Sequence, residues 1–198
     1  IKINAFTQHE INPYLCEGCR LCERICPEKA INSIQNNNNE WYVSETRFGT
    51  LVHAKMGAGE ENSGRLVTKI RKKADEIAEE INADFILNDG PPGIGCSAIA
   101  SVTGSDVVLL VIEPTISGLH DAKRLVKLVR SFGISLSAVI NKFDINEMAT
   151  KDVEGFLIEN NIPLIGKIPF TKKMVESMVS GKTIVEFDPH TKISKEFY

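Results

Sequence analysis

From residue 48 onward, short apolar runs alternate with longer stretches of helical periodicity, and few architectures accept that order. Thr50 to Ala54, Phe85 to Leu87, Val107 to Ile112, Ser137 to Ile140 and Leu164 to Ile168 have the length and apolar character of strands. Arg65 to Glu80, Leu119 to Phe132, Thr150 to Asn160 and Lys172 to Val179 read as helices. In the second of these, Leu119, Ala122, Leu125, Val126 and Val129 form the stripe expected to face a sheet. Strands alternating with helices imply an α/β fold, a parallel sheet covered by helices on both faces.

The first 47 residues follow a different order. LCEGCRLCERICPEKAI, residues 15–31, places Cys16, Cys19, Cys22 and Cys26 within eleven residues, with Pro27 directly after the last. CxxCxxCxxxCP is the bacterial ferredoxin run, in which short loops let three thiolates grip one 4Fe-4S cubane. Tetrahedral zinc sites usually set their two CxxC knuckles a dozen or more residues apart, and this run has no such gap. In two-cluster ferredoxins the fourth cysteine serves the other cluster. Cys16, Cys19 and Cys22 are therefore expected to share a cluster with a cysteine from outside the run, and Cys26 to serve a second. Ile1 to Asn4 reads like the strand that follows such a run, so a partner motif is expected upstream. Asn36 to Asn39 suit a turn, and Ile34, Trp41, Tyr42 and Val43 are strand formers on its flanks. A hairpin there would close a ferredoxin-like module over residues 1–47, leaving 48–198 to the parallel-sheet domain.

Composition narrows the function classes. The 198 residues are 42% hydrophobic and 25% charged, enough to bury a core. A net charge of -3, with both signs interspersed, leaves no footprint for nucleic acid or anionic lipid. Val107 to Ile112 falls far short of the roughly 20 apolar residues of a membrane helix, so membrane insertion is not expected. Five cysteines with four clustered do not form the framework of a small secreted domain, and a reducing, cytoplasmic setting is expected.

Three loops after apolar runs carry the specific chemistry. ILNDGPPGIGC, Ile86 to Cys96, ends a run at Asp89 before a turn rich in glycine and proline. A carboxylate there is the Walker B arrangement, which holds Mg2+ directly or through water; a residue that merely caps the next turn is the alternative. INKFD, Ile140 to Asp144, contains NKxD, a base-recognition pattern in GTPases because a carboxylate accepts two hydrogens from guanine. GKIPF, Gly166 to Phe170, offers Pro169, whose ring or carbonyl could lie against a base. GAGEENSG, Gly57 to Gly64, is glycine-rich but lacks a GK[ST] ending, and its two glutamates would repel phosphate. Cys96 is expected at a helix start as a small, partly buried thiol, and the four histidines receive no role.

Together with GEENSGRLV at 59–67 and EPTISGLHD at 113–121, these loops resemble the MinD/ParA-type P-loop ATPases, in particular a subgroup with an inserted ferredoxin module. The resemblance spans almost the whole chain. It implies that Asp89 is the magnesium-linked switch aspartate, that Asn141 contacts adenine, and that Pro169 makes a backbone contact to the same base. Asp144 joins Asn141 and Pro169 as a nucleotide-binding candidate; the family is ATP-directed, so Asp144 is not a mark of guanine specificity. The implied cofactors are a 4Fe-4S cluster, ATP and Mg2+, and the implied assembly is a homodimer. The Walker A loop is found nowhere in these 198 residues and is expected upstream, where the family carries it. The chain by itself is expected to bind ATP poorly. The implied function couples ATP binding and hydrolysis to electron transfer or to docking of a redox partner. The alternatives are a carrier that delivers clusters to an apo-protein client, and a partitioning ATPase with a structural cluster.

Overall fold

The computed structural model describes residues 2–3, 9–12, 16, 19–33, 40–57 and 64–197. The expected turn at Asn36 to Asn39, with Ile34, lies outside them, as does most of the Gly57 to Gly64 loop. The chain divides into two compact units, Ile1–Gly90 and Pro91–Tyr198.

In the first unit, β1 (Lys2–Ile3) runs antiparallel to β2 (His9–Glu10), with Ile3 opposite His9. The cysteine run carries one short helix, α1 (Leu21–Ile25), whose end is marked by the Cys26 N–H donating to the Cys22 carbonyl at 3.1 Å. β3 (Glu40–Thr46) and β4 (Gly49–Lys55) then form an antiparallel hairpin. Its turn is local chemistry. Gly49 takes φ 118°, which a side chain would resist, and the Thr46 hydroxyl donates to the Gly49 carbonyl at 2.7 Å while accepting from the Phe48 N–H at 3.2 Å. Tyr42 stacks on His53 directly across the ladder, and Ser44 Oγ lies 3.0 Å from His53 Nε2. α2 (Gly64–Ile81) follows, with Lys69 Nζ 5.1 Å from the centre of the Trp41 ring.

Two expectations are corrected here. Thr50 to Ala54 is a strand, but it pairs antiparallel with β3 and does not join the parallel sheet, because the two-residue turn at Arg47 and Phe48 folds the chain straight back. Phe85 to Leu87 forms no strand: Phe85 and Leu87 are 91% and 97% exposed, and among the described residues none supplies the ladder that a strand requires.

The second unit contains α3 (Cys96–Val102), β5 (Val107–Ile112), α4 (Ile116–Ser131), β6 (Ser135–Asn141), α5 (Glu147–Glu159) and β7 (Leu164–Ile168). It closes with α6 (Lys172–Val179), α7 (Ile184–Phe187) and α8 (Lys192–Lys195). β5, β6 and β7 form a parallel sheet in that order. Two right-handed crossovers running in one direction put α4 and α5 on the same face. The core lies there: Leu110 and Ile112 of β5, Ala138 and Ile140 of β6, Ala122 and Val126 of α4, and Val153, Phe156 and Leu157 of α5 are buried. Val107, Leu109 and Val111 point to the other face and are 50–63% exposed, so among the described residues of this unit the expected helices on both faces are found on one face of β5.

Candidate functional site

Register fixes which residues meet at the carboxyl edge of the sheet. Ile112 pairs with Ile140 and Asn141 pairs with Ile168, so Glu113, Lys142 and Pro169 each follow the last paired residue of their strands. In parallel α/β sheets this edge, outside the strand ends, is where ligands bind. Three bonds tie the loops there. Lys142 Nζ forms an ion pair with Glu113, joining the loops after β5 and β6. The Phe143 N–H donates to the Ile168 carbonyl at 3.2 Å, and the Phe170 N–H donates to Asp144 Oδ1 at 2.7 Å, joining the loops after β6 and β7. Lys142 takes φ 57°, the left-handed turn that swings the chain out of β6.

Local capping explains why the helices begin where they do. Thr115 Oγ1 accepts from the Gly118 N–H at 2.9 Å and starts α4; Asn146 Oδ1 accepts from the Ala149 N–H at 3.0 Å and starts α5. Gly118 is required by closeness, since a Cβ there would lie 2.4 Å from the Glu113 carbonyl oxygen.

Beside this edge a cleft of about 270 Å³ is lined by Phe143, Lys167, Pro169, Lys192, Ile193 and Glu196. The walls mix apolar surface with charge. Lys167 Nζ sits 5.2 Å from the Phe143 ring centre and pairs with Glu154 at 3.1 Å. The structure thus brings Asp144 and Pro169 together through Phe170, with Asn141 at the neighbouring strand end. The Asn141 side-chain amide has no hydrogen-bond partner among the described residues. Asp89 belongs to the first unit, is exposed, and likewise makes no hydrogen bond or ion pair among the described residues.

The cysteine segment has its own clasp. The Ser33 hydroxyl and N–H donate to the two carboxylate oxygens of Glu23 at 2.7 and 3.1 Å, closing the chain after the run onto the helix between Cys22 and Cys26. These bonds, Ser33 foremost, with help from Arg20 and Arg24, hold the Glu23 carboxyl below its ordinary range. Cys16 and Cys19 are exposed, Cys22 and Cys26 half-buried, and all four are free thiols. The donor set, four soft cysteine ligands at ferredoxin spacing, fits an iron–sulfur cluster. Among the described residues no three metal-ligating side chains converge on one point. Cys96 is the first residue of α3, as expected, but it is exposed and not partly buried.

Other residues of this edge are marked in the sequence weakly or not at all. The Glu113–Lys142 pair had a signal, opposite charges just after adjacent strands. Lys192, Ile193 and Glu196 had none, because α8 lies far along the chain and is four residues long.

The family described as a 4Fe-4S binding domain matches residues 9–32. An uncharacterized protein of Methanocaldococcus jannaschii is 30% identical over 200 residues, covering 100% of this chain and 66% of that protein. The MinC:MinD cell division protein complex of Aquifex aeolicus matches with a TM-score of 0.57 and 26% identity, over 78% of this chain and 62% of that one. A ParA family ATPase from Chlorobium tepidum matches with a TM-score of 0.53 and 25% identity, over 70% and 55%. The chain spans about half to two thirds of the length of the curated relatives it matches.

Proposed function

Since this chain is a relative of the MinD/ParA-type P-loop ATPases that carries a 4Fe-4S binding domain near its N-terminus, we infer that the protein couples ATP binding and hydrolysis to the redox state or partner docking of an iron–sulfur module. The observation that carries this reading is the tied carboxyl edge, where the loops of three parallel strands meet beside a cleft in a chain that also holds the cysteine run.

The roles follow from the chemistry of each group. Cys16, Cys19, Cys22 and Cys26 supply thiolates for 4Fe-4S ligation, and such a cluster, when bound, transfers one electron at a time. Asn141 presents an uncommitted amide, able both to donate to and accept from the edge of a base. Pro169 offers its ring and its carbonyl to the same base. Asp89, exposed and unpaired among the described residues, is suited to hold Mg2+ directly or through water. The partners are ATP and a redox protein, and the assembly is a homodimer. A second reading, delivery of clusters to an apo-protein client, draws support from the exposure of Cys16 and Cys19, which leaves those thiols accessible to a recipient.

The test is made on full-length protein purified without oxygen. Iron and acid-labile sulfide in cluster proportion, with saturable ATP binding and turnover, are expected. Stoichiometric zinc without sulfide, or no ATP binding by cluster-loaded protein, overturns the reading.

A further inference from the structure

We propose that Asp144 is a positioning residue that selects adenine over guanine through Phe170, without touching the base. The inference rests on the reading of this edge as a nucleotide site and adds how the site chooses its base.

In an NKxD pattern, guanine recognition needs the two oxygens of the aspartate turned toward the N1–H and the 2-amino group of the base. Here one of those oxygens is spent on the chain itself: Oδ1 accepts the Phe170 N–H at 2.7 Å, across 26 residues of sequence. A carboxylate acceptor makes this a charge-assisted bond, among the stronger ones available to a loop. The acceptor is held in place from behind, because the Phe143 N–H is bonded to the Ile168 carbonyl and the Thr150 hydroxyl donates to the Phe143 carbonyl at 2.7 Å.

The consequence lies in the Pro169–Phe170 peptide. It is trans and planar, so the Pro169 carbonyl is antiparallel to the Phe170 N–H, and fixing the one fixes the other. Proline adds its own restriction on φ. Pro169 is one of the residues that line the cleft, with Phe143, Lys167 and Ile193, and on this proposal its fixed carbonyl is the group that meets the base. A carbonyl there accepts a hydrogen bond from the 6-amino group of adenine and repels the 6-oxo group of guanine. The preference therefore resides in backbone that Asp144 immobilises, and the carboxylate is not turned to the base edge.

The experiment compares full-length wild type with Asp144→Ala and Asp144→Asn, reading ATP, GTP and XTP turnover together with amide hydrogen exchange at Phe170. The alanine variant is expected to raise KM for ATP about tenfold with a smaller change in kcat, as a lost ground-state contact does. Exchange at Phe170 should speed up by a similar factor. The asparagine variant keeps an Oδ1 acceptor and should recover both to within about threefold. It should gain no activity with XTP, whose base carries a carbonyl where guanine has its amino group. A switch from GTP toward XTP in the asparagine variant would show the side chain facing the base and overturn the proposal. So would an alanine variant with unchanged KM and unchanged Phe170 exchange, while wild-type turnover of ATP keeps the nucleotide site standing. Wild type that takes no ATP removes the site and the role together.

Discussion

Gly118 shows how far a single residue can decide a loop. Its missing side chain lets the start of α4 approach the Glu113 carbonyl, and a Cβ would lie 2.4 Å from that oxygen and 3.0 Å from Thr115 Oγ1. Gly118→Ala is expected to cost about 1–3 kcal/mol in denaturant unfolding, because the obstacle is backbone and cannot rotate aside. An unchanged midpoint would mean that the turn is not fixed by this contact. Lys173 and Asp188 make a prediction of a different kind. They pair at 2.8 Å, and each shifts the other: the hydrogen bond holds the Asp188 carboxyl below its ordinary range and the Lys173 ammonium above its own. A depressed carboxyl contributes stability that is present above its unfolded pKa and lost as pH falls through its folded one; a raised lysine contributes below its unfolded pKa and loses it in strong base. The gap in stability between wild type and Asp188→Asn should therefore hold through neutral pH and close in acid, as pH falls through the lowered pKa of the folded Asp188 carboxyl. Urea titrations across that range check it, and a constant gap contradicts it. Asp89 is tested by turnover: Asp89→Asn in full-length protein should leave ATP affinity within about tenfold while kcat falls about 10²-fold or more, since the loss is concentrated in the transition state.

At the scale of elements, β5 divides its apolar residues between two environments. Leu110 is 4% exposed and faces α4 and α5, while its neighbour Leu109 is 50% exposed. Leu110→Ala should cost about 2–5 kcal/mol in the 198-residue chain, and Leu109→Ala less than half of that. Equal costs would mean the two faces are wrongly distinguished. The same strand shows what sequence could tell. Val107 to Ile112 and Leu164 to Ile168 were legible with their limits correct, since a branched apolar run bounded by turn residues leaves little choice. α4 was legible from its stripe, and Ala122, Val126 and Val129 are buried as expected. Thr50 to Ala54 was legible as a strand but not in its pairing, because pairing depends on the turn at Thr46 to Gly49, whose hydroxyl contacts leave no periodic trace. Phe85 to Leu87 misled because three apolar residues suit a strand only when a neighbour offers hydrogen bonds. Asn141, Asp144 and Pro169 were found as motifs, and their closeness follows from register. The bond from Phe170 to Asp144 could not be read, being a contact between loops 26 residues apart.

At the scale of the whole molecule, residues suited to two chemistries lie along one chain. The cysteine run, matched as a 4Fe-4S binding domain, precedes the hairpin, α2 and Asp89 within a single compact unit. The sheet edge with Asn141 and Asp144 belongs to the next. Among the described residues no helix is long and apolar enough to cross a membrane. If nucleotide and cluster communicate, linkage makes the coupling reciprocal: ATP shifts the cluster potential by the same free energy by which reduction shifts ATP affinity. For a one-electron couple about 59 mV corresponds to a tenfold change in affinity. Coupling between nucleotide and cluster is therefore decided by a redox titration of the cluster in full-length protein, with and without Mg-ATP. Two separate midpoints are expected, with an ATP affinity that changes between oxidised and reduced protein by the matching factor. Coincident midpoints in protein that binds and hydrolyses ATP would contradict the coupling.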